Sequence, residues 1–120
     1  MIRTLGRLLL SGMFIVGGFG AFSQPGGRVK LVEAAGFPKP RESTILNGAI
    51  MMLGGTALAT GIAPKLAAVT LFATLIPTTF TGHPYWKEQD PGVRANQRIH
   101  FLKNLAMMGG LLMVLADNGE

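Results

Sequence analysis

Residues 45–82 read ILNGAIMMLGGTALATGIAPKLAAVTLFATLIPTTFTG, two apolar runs joined by one short turn. Each run is close to the roughly 20 residues that an α-helix needs to cross a hydrocarbon core of about 30 Å. Gly61 is suited to ending the first helix, and Pro64 is suited to starting the second. Because the joining turn is so short, the two helices are predicted to be antiparallel neighbours in a membrane.

Two further apolar runs flank this hairpin and extend the pattern. The four predicted spans cover residues 5–22, 45–63, 66–82 and 100–116. Residues 1–23 also match a secretory signal peptide, but only three spans would remain after its removal. We therefore expect a single all-α membrane domain over residues 1–120, a four-transmembrane-helix bundle with two larger loops on one membrane face.

The composition excludes most soluble classes of protein. Of the 120 residues, 48% are hydrophobic and only 14% are charged, whereas soluble domains average roughly 25% charged. The chain has no cysteine, so it cannot itself supply dithiol chemistry, iron–sulfur ligands or disulfides. The net charge of +5 is scattered along the sequence, which favours anionic lipid over nucleic acid as the partner.

Lysine and arginine are unevenly divided between the two membrane faces. The loop side carries Arg28, Lys30, Lys39, Arg41, Lys87, Arg94 and Arg98, and the opposite side carries Arg3, Arg7 and Lys65. The positive-inside rule then places both large loops in the cytoplasm and both termini outside the plasma membrane.

Smaller features predict how the helices begin and pack. Residues 29–35 are expected to form a short interfacial helix, and the segment Glu42-Ser43-Thr44 is expected to cap the second span. Three glycine pairs lie near the middles of spans, where missing side chains let helix backbones approach closely. These pairs are Gly17-Gly18, Gly54-Gly55 and Gly109-Gly110.

Polar side chains inside the spans gather near the loop-side face. The predicted topology places there Asn47, Thr78, Thr79, Thr81, His83, His100 and Asn104. A polar group in hydrocarbon is costly unless it finds a partner, and Pro77 leaves further backbone groups unbonded nearby. His100 and Asn104 are four residues apart and so share one helix face. We therefore expect one shared polar pocket.

Three interpretations of this cluster are open. The first is a structural hydrogen-bond cap at the mouth of the bundle. The second is a headgroup site for a quinone or lipid, in which His83 or His100 hydrogen-bonds a ring oxygen and an aromatic side chain such as Trp86 packs beside the ring. The third, a metal site, has a thin ligand set, and no metal is predicted. The candidate cofactor-binding residues are Asn47, His83, Trp86, His100 and Asn104; no catalytic residue is assigned.

Several stretches are specific enough to compare with known families. They are RLLLSGMFIVGG at residues 7–18, IPTTFTGHPYWKEQDP at residues 76–91, QRIHFLKNLA at residues 97–106 and GGLL at residues 109–112. In these stretches the chain resembles the DoxX family of small four-span membrane proteins, and more closely its actinobacterial branch. The family is named for its similarity to a small subunit of an archaeal quinol oxidase.

The resemblance implies an accessory or assembly subunit of a respiratory or redox-stress oxidoreductase complex, with no catalytic centre of its own. One alternative is a quinone-reactive enzyme subunit of a thiosulfate:quinone oxidoreductase-like system, and another is a small transporter or lipid-binding protein. Quinone is the candidate cofactor, and none is expected to be covalently bound. The expected partners are the lipid bilayer, other membrane or soluble oxidoreductase subunits and a second copy of the chain.

Overall fold

The computed structural model describes residues 1–24 and 26–117. Within them the chain forms α1 (Ile2–Ser23), α2 (Gly26–Ala34), α3 (Pro40–Thr60), α4 (Pro64–Gly82), a 3₁₀ turn (Tyr85–Lys87) and α5 (Pro91–Ala116). Four helices, namely α1, α3, α4 and α5, are long and apolar enough to cross a membrane, and the described residues contain no β-strand. The predicted all-α, four-span architecture is confirmed.

The distribution of apolar side chains matches a bilayer environment. Phe14, Leu58 and Leu71 are completely buried in the centre of the bundle. On the outside, Leu53 and Met113 are each 73% exposed. Large apolar side chains exposed in such numbers would be unfavourable in water, so lipid tails are the solvent for this surface.

The turn between α3 and α4 is built as the sequence predicts. Gly61 ends α3 in the left-handed region, with φ of 79°, and its amide donates to the carbonyl of Ala57. Glycine adopts this conformation without the steric cost that a Cβ would bring. Pro64 is the first residue of α4, where a missing N–H does no harm because the first turn leaves its amides unbonded.

The loop-side ends of the helices differ in part from the predictions. The interfacial helix exists as α2, but α3 begins at Pro40, ahead of the predicted cap. The Ser43 hydroxyl donates to the carbonyl of Pro38 at 3.0 Å, and the Thr44 hydroxyl donates to the carbonyl of Pro40 at 2.8 Å. The capping prediction is therefore wrong, because these hydroxyls bond carbonyls rather than first-turn amides. Helix α5 also starts nine residues ahead of the predicted span.

Helices α1 and α3 form the tightest seam of the bundle. A Cβ added to Gly18 would lie 2.6 Å from the carbonyl oxygen of Gly48, and a Cβ added to Gly48 would lie 2.5 Å from the carbonyl oxygen of Gly18. Real Cβ atoms do not approach backbone this closely, so both positions require glycine. The predicted packing role thus holds at Gly18, and Gly48 is its partner across the seam.

The other predicted glycine pairs are used unequally. A Cβ on Gly54 would meet Leu71 of α4 at 3.0 Å, and a Cβ on Gly55 would meet Ile15 of α1 at 2.9 Å. By contrast, a Cβ on Gly109 would meet nothing within 4 Å. Packing therefore explains the pair in α3, whereas Gly109 faces outward from the bundle.

The four spanning helices do not pack equally tightly on every side of the bundle. Helix α1 packs mainly on α3, α3 packs on α4, and α4 packs on α5, while α1 and α5 contact each other only weakly. The short helix α2 packs on the loop-side parts of α3 and α4. This arrangement leaves space between α1 and α5 at the loop-side end.

Candidate functional site

A cavity of about 730 Å³ occupies the loop-side end of the bundle. All four spanning helices line it, and Leu31 and Val32 of α2 contribute apolar side chains. The polar lining residues are Ser43, Thr44, Asn47, Thr78, Thr81, His83, Gln97, His100, Lys103 and Asn104. The cavity lies within the range of about 300–1,000 Å³ that is typical of small-molecule sites.

Of the predicted polar cluster, six members line this cavity and Thr79 does not. Thr79 is completely buried, and its hydroxyl oxygen has no hydrogen-bond partner among the described residues. The prediction of one shared pocket is thus right for most of the cluster and wrong for Thr79. The rotation of α4 explains the difference, because consecutive residues on a helix point about 100° apart.

Asn47 and Thr78 join α3 to α4 on one wall of the cavity. The Asn47 amide donates to the Thr78 hydroxyl at 2.9 Å and approaches the sulfur of Met51 at 3.5 Å. The Thr78 hydroxyl in turn donates to the carbonyl of Thr74 at 2.7 Å. Pro77 lies beside this chain of hydrogen bonds and removes one backbone donor from α4. Side-chain hydrogen bonds therefore stabilise the helix pair where the backbone ladder is interrupted.

The two histidines lie together where α4 and α5 meet. The rings of His83 and His100 are stacked, with centroids 5.2 Å apart and planes inclined by 20°. Nδ1 of His83 lies 2.6 Å from Oε1 of Gln97. This side-chain contact joins the loop-side end of α4 to α5.

Helix α5 supplies the deeper polar groups. Asn104 lies one turn below His100 on the same face, and it is 4% exposed although it borders the cavity. Lys103 also lines the cavity. Among the described lining residues there is no Asp or Glu, so the site offers N–H donors and one ammonium without a fixed negative charge. Such a site favours a ligand with oxygen acceptors.

Trp86, the remaining predicted site residue, lies outside the cavity lining. It belongs to an aromatic cluster with Phe80, Tyr85 and Phe101, whose ring centroids are 5.3–6.2 Å from its own. Two of its contacts, with Tyr85 and with Phe101, are edge-on, and Phe101 makes edge-on contacts with Phe80 and Tyr85 as well. Trp86 is 45% exposed, which fits an interfacial aromatic anchor beside the cavity.

Sequence reasoning overlooked Gln97 and the apolar floor of the site. Gln97 precedes His100 by three residues and so shares its helix face. This spacing could have identified Gln97 as a member of the site. Met13, Met51 and Met107 come from three different helices and line the cavity together. Helical periodicity does not show which methionines from separate spans meet, so this floor was visible only in the structure.

No group of three or more His, Cys, Asp or Glu side chains in the described residues is arranged to hold a metal ion. The two stacked imidazoles have only amide, hydroxyl, thioether and ammonium groups around them in the cavity lining. Hard cations prefer carboxylate oxygens, and zinc prefers three or four His, Cys or carboxylate ligands. The donor set thus suits an organic acceptor better than these ions.

The fold and the cavity define a class, the small multi-pass membrane proteins with a polar site at one end of a helical bundle. The DoxX family model matches residues 2–84, which include α1 to α4. The chain therefore belongs to the DoxX family. Comparison with curated proteins and with solved structures finds no significant match. The matched residues supply Asn47, Thr78 and His83 to the cavity, while His100 and Asn104 lie beyond them on α5.

Proposed function

We propose that this chain is a membrane accessory subunit of a respiratory or redox-stress oxidoreductase complex, and that its loop-side cavity holds the headgroup of a quinone. The observation that carries the proposal is the cavity itself, in which nitrogen donors lie above an apolar floor. A quinone has the matching distribution, with two carbonyl acceptors on a flat apolar ring. A structural hydrogen-bond cap would not need a space of about 730 Å³.

The donors suit the two ring oxygens of a quinone. His100, Lys103 and Asn104 approach the cavity from α5 as the donors, and His83 lies opposite them at the end of α4 with its Nδ1 on Gln97. Hydrogen bonds to a ligand are worth more in surroundings of low polarity than in water, and the apolar floor of the cavity supplies part of such surroundings. Below these donors, Met13, Met51 and Met107 provide flexible, polarisable surfaces for a ring or its substituents.

A partner subunit would supply the electrons. With no cysteine in the chain, thiol and iron–sulfur chemistry would belong to that partner. We place its docking face on the loop side, beside the aromatic cluster, and we assign this side to the cytoplasm of a plasma-membrane protein from the excess of lysine and arginine there.

Replacing Asn104 tests the headgroup site directly. Asn104→Leu keeps the side-chain size but removes the amide, and we expect the Kd for a short-chain benzoquinone or naphthoquinone to rise by about tenfold, the equivalent of one lost buried hydrogen bond. Asn96→Leu is the matched control, because Asn96 is exposed on the same helix and outside the cavity. Titration of the purified protein in nanodiscs gives both Kd values.

Two results would contradict the headgroup site: no quinone binding by the unmodified protein, or an equal loss of affinity in both variants. Mass spectrometry of the gently extracted native protein tests the subunit part of the proposal separately. A stoichiometric oxidoreductase polypeptide is expected to co-purify. Recovery of the chain with bulk lipid alone would count against a permanent complex.

A further inference from the structure

Helices α1 and α5 are fastened at one end and separated at the other. At the end opposite the loops, Nε of Arg3 lies 3.0 Å from Oδ2 of Asp117. Nearer the middle, a Cβ added to Gly110 would lie 3.3 Å from Leu10, so α5 still meets α1 at this level. Towards the loops both helices instead border the cavity, and we call the space between them the α1–α5 cleft.

Small and flexible residues line the cleft. Gly17 of α1 borders the cavity, and a Cβ placed there would meet only the terminal methyl of Met51, at 3.7 Å. Met13 lies one turn deeper and is 44% exposed, and Met107 faces it from α5. Because Met13 lines the cavity and is still 44% exposed, the cavity is not closed on the α1 side.

We propose that the α1–α5 cleft is the lateral portal through which the isoprenoid tail of a membrane quinone passes from the cavity into the bilayer. This inference rests on the proposed headgroup site and specifies its ligand, a quinone with an apolar chain of several isoprene units. Such a chain is insoluble in water and must stay in hydrocarbon while the polar ring binds. The cleft provides that path, from the donors at the loop-side end down towards the middle of the bilayer.

The loop-side end is a poorer exit for the tail. Leu31, Val32 and Phe37 line the cavity from the first loop region, and α2 packs on α3 and α4 there. A tail leaving in this direction would enter the interface and water, where burial of its apolar surface is lost. A tail that leaves between α1 and α5 passes from the cleft into the hydrocarbon of the bilayer, so its apolar surface stays out of water.

Tail-length dependence in nanodiscs tests the portal. We would titrate a tail-free quinone and the same quinone with several isoprene units, with both expressed as mole fractions of lipid. The tail should tighten binding to the unmodified protein by several-fold, because it makes van der Waals contacts with the cleft that the tail-free quinone lacks. Gly17→Leu fills the cleft and should bring the ratio of the two Kd values close to one. Gly109→Leu, in open space on α5, should keep the ratio of the unmodified protein.

The outcomes separate the portal from the headgroup site. If the unmodified protein binds neither quinone, both proposals fail. If it binds both with equal affinity, or if Gly17→Leu keeps the tail-dependent gain, the headgroup site stands and the portal is wrong. If a phospholipid with long acyl chains competes with the long-tailed quinone and abolishes the effect of the tail on Kd, the cleft binds lipid tails in general. That result would also overturn the proposed portal.

Photocrosslinking requires no substitution and so does not depend on the folding of a variant. A quinone with a diazirine at the end of its tail should label α1 near Met13 and α5 near Met107, and excess untagged long-tailed quinone should compete for both sites. Excess phospholipid should not compete. Labelling confined to α2, near Leu31 and Val32, would show that the tail leaves through the loop-side end and would overturn the proposal.

Discussion

Gly17 and Gly18 are adjacent in α1, yet the bundle uses them in opposite ways. Gly18 faces α3, where the backbone of Gly48 occupies the space that a side chain would need. Gly17 faces the cavity, where an added Cβ would make one ordinary contact with Met51. One rotation of about 100° along the helix separates a position that closes a seam from one that keeps a cavity open. The same residue type therefore marks tight packing on one side of α1 and empty space on the other.

Alanine at each of the two glycines gives the largest expected difference. Gly18→Ala forces a Cβ against backbone atoms of α3, and we expect it to lower the free energy of unfolding by about 1–3 kcal/mol. Gly17→Ala should be neutral or stabilising by up to about 1 kcal/mol, because alanine favours helix more than glycine does. Denaturation of the purified protein in mixed micelles compares the two. Equal losses of stability would refute the contrast between the two faces of α1.

A double-mutant cycle across α3 and α4 should give a smaller effect. Asn47→Ala and Thr78→Val each remove one member of the 2.9 Å hydrogen bond that joins these helices. We expect a coupling free energy of about 0.6 kcal/mol, with an upper bound of about 1.7, as found for hydrogen bonds between membrane helices. The four proteins of the cycle are compared by the same denaturation. If the losses in free energy of unfolding of the two single variants sum to the loss of the double variant, the hydrogen bond contributes nothing to the stability of the α3–α4 pair.

Asp117→Asn should have the smallest effect, although it acts where α1 and α5 are fastened. The side chains of Arg3 and Asp117 are 59% and 31% exposed, so solvent screens their ion pair. We expect a loss of less than about 1 kcal/mol that disappears in about 1 M salt, where the screening length is near 3 Å. A large loss that persists in salt would show that this pair, rather than apolar packing around Leu10, holds the two helices together.

The spans were predictable from sequence because the length and hydrophobicity of a membrane helix are local properties. The turn from Gly61 to Pro64 was predictable for the same reason, since each residue carries its own backbone preference. Capping by Ser43 and Thr44 was predicted wrongly because Lys39 and Pro40 start α3 earlier, with Lys39 at a φ of 48°. A local rule names suitable caps, but the path of the preceding loop decides where the helix begins.

The candidate site was predictable where helix periodicity and topology acted together. His100 and Asn104 share a face of α5, and the up-and-down order of the spans brings Asn47 and His83 to the same end. The rotation of each helix about its axis was not predictable, because it depends on contacts such as that between Gly18 and Gly48. This explains why Thr79 points away from the cavity and why Gly109 has no neighbour, although their sequence neighbours suggested otherwise.

The length of α5 determines where the polar end of the cavity lies relative to water. With 26 residues, α5 is about 39 Å long, whereas a hydrocarbon core is about 30 Å thick. Since Asp117 and Arg3 mark the opposite interface, the first turns of α5 extend past the hydrocarbon on the loop side. Gln97 then lies at the boundary between hydrocarbon and headgroups, and His100 lies about one helical turn below it. A ligand group that is hydrogen-bonded at this depth is one or two helical turns from bulk solvent, so it can exchange with water without a polar path across the whole membrane.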